Sequence, residues 1–285
     1  MNNTLLNISG KLDPESIALF DHIDTITAQL DIPYVVVGAY ARDLVLHYAH
    51  GATIQRATTD IDLGIRVPSW SAFARLNEQL LQEGFQATKS QHSLISPQNR
   101  HIDIVPFGPV EDDNANIQWP PDGDIELNVL GFQEAHDHAE LVRIQNAPSI
   151  DIPVATPKGM AVLKLISWTD RSADMRKKDA KDLRYLMVNY EKIPAIQDAL
   201  YKDTTLMEQY DWDIGLAGAH QLGVDARAIA GEQTLRVIAE LFSGGSTLSV
   251  ERLIEEMCDH HELEYDKNEK LTQAMIAGFH QGNNQ

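Results

Sequence analysis

A mixed α/β core followed by a helical region is the fold class that the sequence predicts, and three observations carry it. Short β-branched or alternating apolar runs recur as far as Val154 and then stop. Apolar residues at helical spacing are interleaved with those runs. Beyond Val154 only helical patterns follow. The expected organisation is therefore an α/β core with a mixed sheet over 1–155 and a helical C-terminal domain over 156–285.

In chain order, Pro14 to Leu30 reads as an amphipathic helix through Ile17, Leu19, Phe20, Ile23, Ile26 and Leu30. Tyr34-Val35-Val36-Val37-Gly38 is a buried strand leaving through a glycine turn, and Ala39 to Leu46 is a helix behind it. Thr59 to Ile65 reads as a strand. Pro68 closes it, and Ser69 or Ser71 caps a helix through Phe73, Leu76, Leu80 and Leu81. Phe85 to Ser96 is an extended hairpin arm, and Arg100 to Gly108 a further strand. Residues 110–121 are rich in Asp, Asn and Pro and read as a loop. Strands are expected at 125–132, 141–145 and 149–154, then a helix start at Thr156-Pro157 with Thr as cap. Helices are expected at 158–168, 177–190, 194–200, 226–242, 250–261 and 271–279.

Chemistry concentrates in Thr59-Asp60-Ile61-Asp62-Leu63-Gly64-Ile65. On a strand, Asp60, Asp62 and Gly64 share one face, and Ile61, Leu63 and Ile65 turn to the core. Two adjacent carboxylates repel, so a fold that presents them supplies a cation between them. Mg²⁺ suits, because it takes one or two carboxylates and completes its shell with substrate phosphate oxygens. The same pattern also fits an acidic strand end in an acid-rich chain. On the later strand, His101, Asp103 and Val105 share the face opposite Ile102 and Ile104, so Asp103 reaches Asp60 and Asp62 if the two strands are neighbours. Gly38 leads into a helix N-terminus, where unpaired N–H groups receive phosphate. Nucleotidyl transfer needs these parts: divalent ions at the attacking and leaving oxygens, and backbone donors for a triphosphate.

The charge of the chain bounds its partners. With 23 Lys plus Arg against 42 Asp plus Glu, the formal net is -19, which repels bulk DNA and other bulk nucleic acid. The one dense basic run is Arg171, Arg176, Lys177, Lys178, Lys181 and Arg184. The apolar runs are too short to span a bilayer, the N-terminus lacks a signal-peptide pattern, and the single Cys258 forms no internal disulfide. A cytoplasmic protein with no membrane partner is expected. Neither His136-Asp137-His138 nor His260-His261 has the spacing of a metal motif.

The order and flanking residues of the glycine turn, the DxD strand and the later acid resemble the DNA polymerase β-like nucleotidyltransferase superfamily. Within it, Val35-Val36-Val37-Gly38-Ala39 with Arg56-Ala57-Thr58-Thr59-Asp60-Ile61-Asp62-Leu63 looks like the AbiEii/AbiGii toxin-type branch. A later motif has its counterpart in Lys164, Arg171 and Lys178-Asp179-Ala180-Lys181-Asp182-Leu183. The resemblance implies a nucleotidyltransferase core that moves an NMP from an NTP to an acceptor hydroxyl of RNA or protein. It implies two Mg²⁺ or Mn²⁺ ions on Asp60, Asp62 and Asp103. Gly38, Ala39, Arg42, Arg56, Thr59 and Lys164 would hold the nucleotide, and Lys164 and Asp182, or Asp179 in its place, would join the catalytic set. A cognate antitoxin or other partner protein is implied too. The family's Gly-Gly or Gly-Ser pair is Gly38-Ala39 here, and backbone donors still serve. Two other readings remain open: transfer to a small aminoglycoside-like acceptor, and a non-catalytic, antitoxin-like partner protein. For Asp179 and Asp182 the residues alone also fit i,i+4 ion pairs such as Lys178 with Asp182.

Overall fold

The computed structural model describes residues 5–54, 58, 60–120, 123, 126–259 and 262–281. The chain divides into two compact units, an α/β unit of 1–49 with 53–156 and a helical unit of 157–285 with 50–52.

The α/β unit runs β1 (Leu6–Asn7), α1 (Pro14–Leu30), β2 (Tyr34–Val37), α2 (Gly38–Arg42) with a π-helical continuation (Asp43–Ala49), β3 (Ile61–Arg66), α3 (Trp70–Gln82), β4 (Gln86–Ala87), β5 (Ser93–Ile95), β6 (His101–Phe107), β7 (Asn116–Gln118), β8 (Glu126–Asn128), α4 (Phe132–Asp137), β9 (Glu140–Asn146) and β10 (Ser149–Val154). Eight strands form one mixed sheet in the order β1-β9-β10-β2-β3-β6-β5-β4. β3 is antiparallel to β2 and parallel to β6, and β5 is antiparallel to β6. All four residues of β2 are buried, as a continuous apolar run in mid-sheet requires.

Local chemistry fixes the helix starts. Asp13 accepts the Ser16 N–H at 2.8 Å, and Pro14 occupies the first turn of α1. Ser69 caps α3 through the Ala72 N–H. The apolar faces of α1 and α3 close on one side of the sheet, where Ile23, Leu76 and Leu80 meet Leu63, Ile65, Ile102 and Ile104 around a small void. On the other side α4 lays Phe132 over Gly64, where a Cβ would come within 2.8 Å of the ring. Phe132 also packs on Phe107, centroid to centroid 5.9 Å.

Several expectations are corrected. Residues 110–121 are not wholly loop: β7 pairs with β8, and Asn128 Nδ2 donates to Asn116 Oδ1 at 3.0 Å. The ribbon is anchored by Trp119, which is buried against Trp70 and Phe73. The strand expected over 125–132 ends at Asn128 and gives way to α4. The Thr156 hydroxyl is buried without a hydrogen-bond partner, so it does not cap the helix that follows.

The helical unit consists of α5 (Pro157–Asp170), α6 (Ala173–Asn189), a 3-10 turn (Tyr190–Lys192), α7 (Pro194–Lys202), α8 (Thr205–Gln209), α9 (Ile214–Ile229), α10 (Glu232–Phe242), α11 (Val250–Met257) and α12 (Glu262–Gln281). The single helix expected over 226–242 is two, parted at Ala230 and Gly231. α9 and α12 touch backbone to backbone through glycine. A Cβ on Gly223 would come within 2.0 Å of the Met275 carbonyl oxygen, and one on Gly278 within 2.0 Å of the His220 carbonyl oxygen. A second tie is the buried Glu256 carboxylate. It accepts from Trp168 Nε1 at 2.8 Å, Arg176 Nε at 2.9 Å and Arg252 Nε at 2.8 Å, linking α5, α6 and α11.

Candidate active site

Register brings the acids of the α/β unit together. Residues directly opposite one another on paired strands share a face. Val37 lies opposite Asp62, Asp62 opposite Asp103, and Asp103 opposite Ser93. Asp62 and Asp103 are half-buried, while Ile61, Leu63, Ile102 and Ile104 are buried on the other face. The alternation read from the sequence thus holds for β3 and β6. Asp60 is different. Pairing begins at Ile61, so Asp60 stands exposed one residue before the strand rather than within it.

Gly38 closes the row on its other flank. Its φ of +71° belongs to the left-handed region that glycine occupies without strain. A Cβ there would lie 2.0 Å from Asp62 Oδ2, so the missing side chain makes room for this carboxylate. The helix that Gly38 opens has no side-chain cap from Val37, and Ala39 is its second residue. Arg42, which the resemblance implies for the nucleotide, is buried on that helix. Its Nε and Nη2 donate to Asp43 Oδ1 at 3.0 and 2.8 Å, so its guanidinium is engaged within the core. Arg56 and Thr59 lie outside the described residues.

The donor set decides what cation the row suits. Among the described residues no group of three or more His, Cys, Asp or Glu side chains is gathered as a metal cage. Two half-buried carboxylates directly opposite each other match a Mg²⁺ that draws the rest of its shell from substrate phosphate and water.

The helical unit carries its own charged cluster. Lys164 Nζ lies 2.9 Å from both Asp179 Oδ1 and Asp182 Oδ2, and Arg171 Nη1 lies 3.0 Å from Asp179 Oδ2. Both aspartates are buried. Burial opposes the Lys164 charge, but Asp182 and Asp179 outweigh it and raise the pKa above the ordinary lysine value. Lys164 therefore remains an ammonium at neutral pH and is no general base. The i,i+4 partner anticipated for Asp182, Lys178, is displaced by Lys164 from another helix. The head group of Lys164, flanked in sequence by Leu163 and Leu165, finds partner acids as its apolar setting demands.

The basic run that leads into and along α6 is half neutralised from within. Arg171 pairs with Asp179, Arg176 with Glu256 and Lys181 with Asp259, and Arg184 donates to Asn268 Oδ1. Of the six cations named from the sequence, Lys177 and Lys178 are exposed and make no ion pair among the described residues. Half of the run is thus internal cement.

A mixed sheet that lines up two acids beside a glycine turn is the core of a nucleotidyltransferase fold. The class narrows further in the sequence: residues 24–220 match the family described as "Nucleotidyl transferase AbiEii toxin, Type IV TA system", and the chain belongs to that family. No curated protein sequence matches it. Among solved structures, the solution structure of antibiotic-resistance factor ANT(2'')-Ia is 13% identical with a TM-score of 0.37, covering 70% of this chain and 98% of that one. The crystal structure of ANT(2'')-Ia in complex with adenylyl-2''-tobramycin is 14% identical with a TM-score of 0.38, covering 66% and 97%. An antigenic nucleotidyltransferase-like protein from Paracoccidioides brasiliensis is 18% identical with a TM-score of 0.39, covering 72% and 91%. Among the described residues, no helix is long and apolar enough to cross a membrane.

Proposed function

We propose that the protein transfers an NMP from an NTP to an acceptor hydroxyl of RNA or protein with release of pyrophosphate, and that it is the toxin of a toxin–antitoxin pair with a cognate antitoxin. The observation that carries the chemistry is the register of Asp62 against Asp103 beside Gly38. Asp62 and Asp103, with Asp60 at the strand entrance, would hold two Mg²⁺ or Mn²⁺ ions. Bound there, such ions neutralise the triphosphate and the developing charge. Asp103 would take the acceptor's proton. The N–H groups of Gly38 and Ala39 serve as phosphate donors. On the family pattern Lys164 and Asp182 would join the catalytic set, Lys164 as an ammonium already paired to Asp179 and Asp182. The toxin assignment rests on family membership.

The test is transfer of label from each of the four α-labelled NTPs, with Mg²⁺, to total host RNA and separately to total host protein. Pyrophosphate release coupled to label on either macromolecule is the expected result. An Asp62→Ala protein that folds normally and keeps full transfer would overturn the assignment. No turnover by the wild type with either acceptor would overturn it as well.

A further inference from the structure

In a chain with 42 acids, the stretch from Gly84 to Ile102 holds none, while it carries Lys89, His92, Arg100 and His101. It builds β4, β5 and the start of β6, the sheet edge next to Asp103. Ser93 stands directly opposite Asp103 and shares its face, and His101 is on that face two residues before Asp103. Leu94 and Ile102 between them turn into the core. The Ser93 hydroxyl and the exposed His101 imidazole make no side-chain hydrogen bond among the described residues, and Lys89, exposed at the hairpin turn, makes no ion pair there. Arg100, by contrast, is held by Asp13 at 3.0 Å.

The row across the sheet therefore reads glycine turn, Asp62, Asp103, Ser93. If the triphosphate lies on the glycine side, in-line displacement brings the attacking oxygen from the opposite side. Resting on the function proposed above, we infer that the β4–β5 hairpin with His101 is the acceptor site, and that it takes a hydroxyl next to a phosphate. Ser93 and His101 hydrogen-bond the sugar that carries the hydroxyl, and Lys89 meets the neighbouring phosphate. The acceptor oxygen bonds to the α-phosphorus, the bond from that phosphorus to the pyrophosphate oxygen breaks, pyrophosphate leaves with the electron pair, and the acceptor proton passes to Asp103. An RNA end and a free nucleoside monophosphate share this chemistry.

The experiment measures label transfer from α-labelled NTP to total host RNA, to free AMP and to total host protein. The proteins are wild type, Asp62→Asn, Lys89→Ala, Ser93→Ala and His101→Gln. The expected result is label on RNA or AMP, lost in Asp62→Asn. Each of the other three variants should raise the KM for that acceptor about tenfold with the KM for NTP unchanged, as loss of one hydrogen bond or ion contact predicts. With RNA, Lys89→Ala should also lower the salt slope of binding by about 0.7. Unchanged acceptor KM in all three variants, with Asp62→Asn inactive, overturns the acceptor site and leaves the transferase reading standing. Label on protein alone also overturns the site. Full transfer by Asp62→Asn, or none by wild type, overturns the transferase reading itself.

Discussion

The Asp62 carboxylate occupies the space that a side chain at Gly38 would need, 2.0 Å from where its Cβ would stand. The obstructing atoms are the far end of the Asp62 side chain, Oδ2 at 2.0 Å and Cγ at 2.8 Å, so Gly38→Ala is relieved only by swinging the carboxylate away. The fold loses little, about 1–2 kcal/mol from the left-handed backbone. The site loses its aligned acid. Gly38→Ala should thus show a modest shift in urea midpoint together with at least a tenfold drop in label transfer. A drop in stability without loss of transfer would show that the contact is only structural.

Asp62 and Asp103 face each other as like charges, which costs about 0.2–1 kcal/mol on paired strands. Without divalent metal, Asp103→Asn should therefore raise the melting temperature slightly. Adding Mg²⁺ should stabilise the wild type more than the variant. Thermal unfolding in EDTA and in Mg²⁺ reads both effects without any acceptor.

Glu256 is the acceptor for three donors from three segments, and its side chain is only 1% exposed. Glu256→Ala leaves Arg176 and the Trp168 N–H without it, a loss of about 3–5 kcal/mol by analogy with other broken buried pairs. Denaturant unfolding measures it, and Trp168 emission should shift red as water reaches the indole.

Lys164 gives a pH prediction of definite sign. Its pKa is raised in the folded protein, so its ion pairs stabilise in full below the ordinary lysine value of 10.5 and fade as pH rises through the higher folded value. The stability difference between wild type and Lys164→Met should be flat from pH 6 to 9 and shrink only in alkali. A difference that changes across neutral pH would mean that the ammonium is not held as described.

Much of this molecule is legible in its sequence where side chains alternate or repeat without interruption. β3 and β6 follow from Ile61, Leu63 and Ile65 and from Ile102 and Ile104, because a one-residue slip would turn each set onto the acid-bearing face, and β2 follows from its continuous apolar run, Val35 to Val37. The placing of Asp103 beside Asp62 follows from the same alternation once the strands are neighbours. Other features depend on contacts distant in sequence. β7 has a single buried apolar residue, Ile117, and is held by its partner strand and by Trp119. The first turns of α9 were illegible because Gly215 and Gly218 argue against a helix by propensity, with Gly223 further along, and tertiary packing overrides propensity. Arg42 looks like a free ligand in sequence, and only its rotamer shows that it folds back on the adjacent Asp43. For Lys164 the local signal pointed to a cleft or a partner acid, and the structure supplies two acids, Asp179 and Asp182.

The glycine seam between α9 and α12 bears on the order in which the molecule is made. Translation delivers every strand of the sheet before the helical unit begins, and domains generally fold as they emerge. The strands that bear Asp62 and Asp103 are thus complete early, while the face of α9 at Gly223 has no backbone to rest against until Met275 and Gly278 have left the ribosome. A nascent chain halted after α10, or one cut by a protease ahead of α12, would keep a formed sheet and carry an unfinished bundle. α12 is thus the helix on which assembly of the helical unit waits.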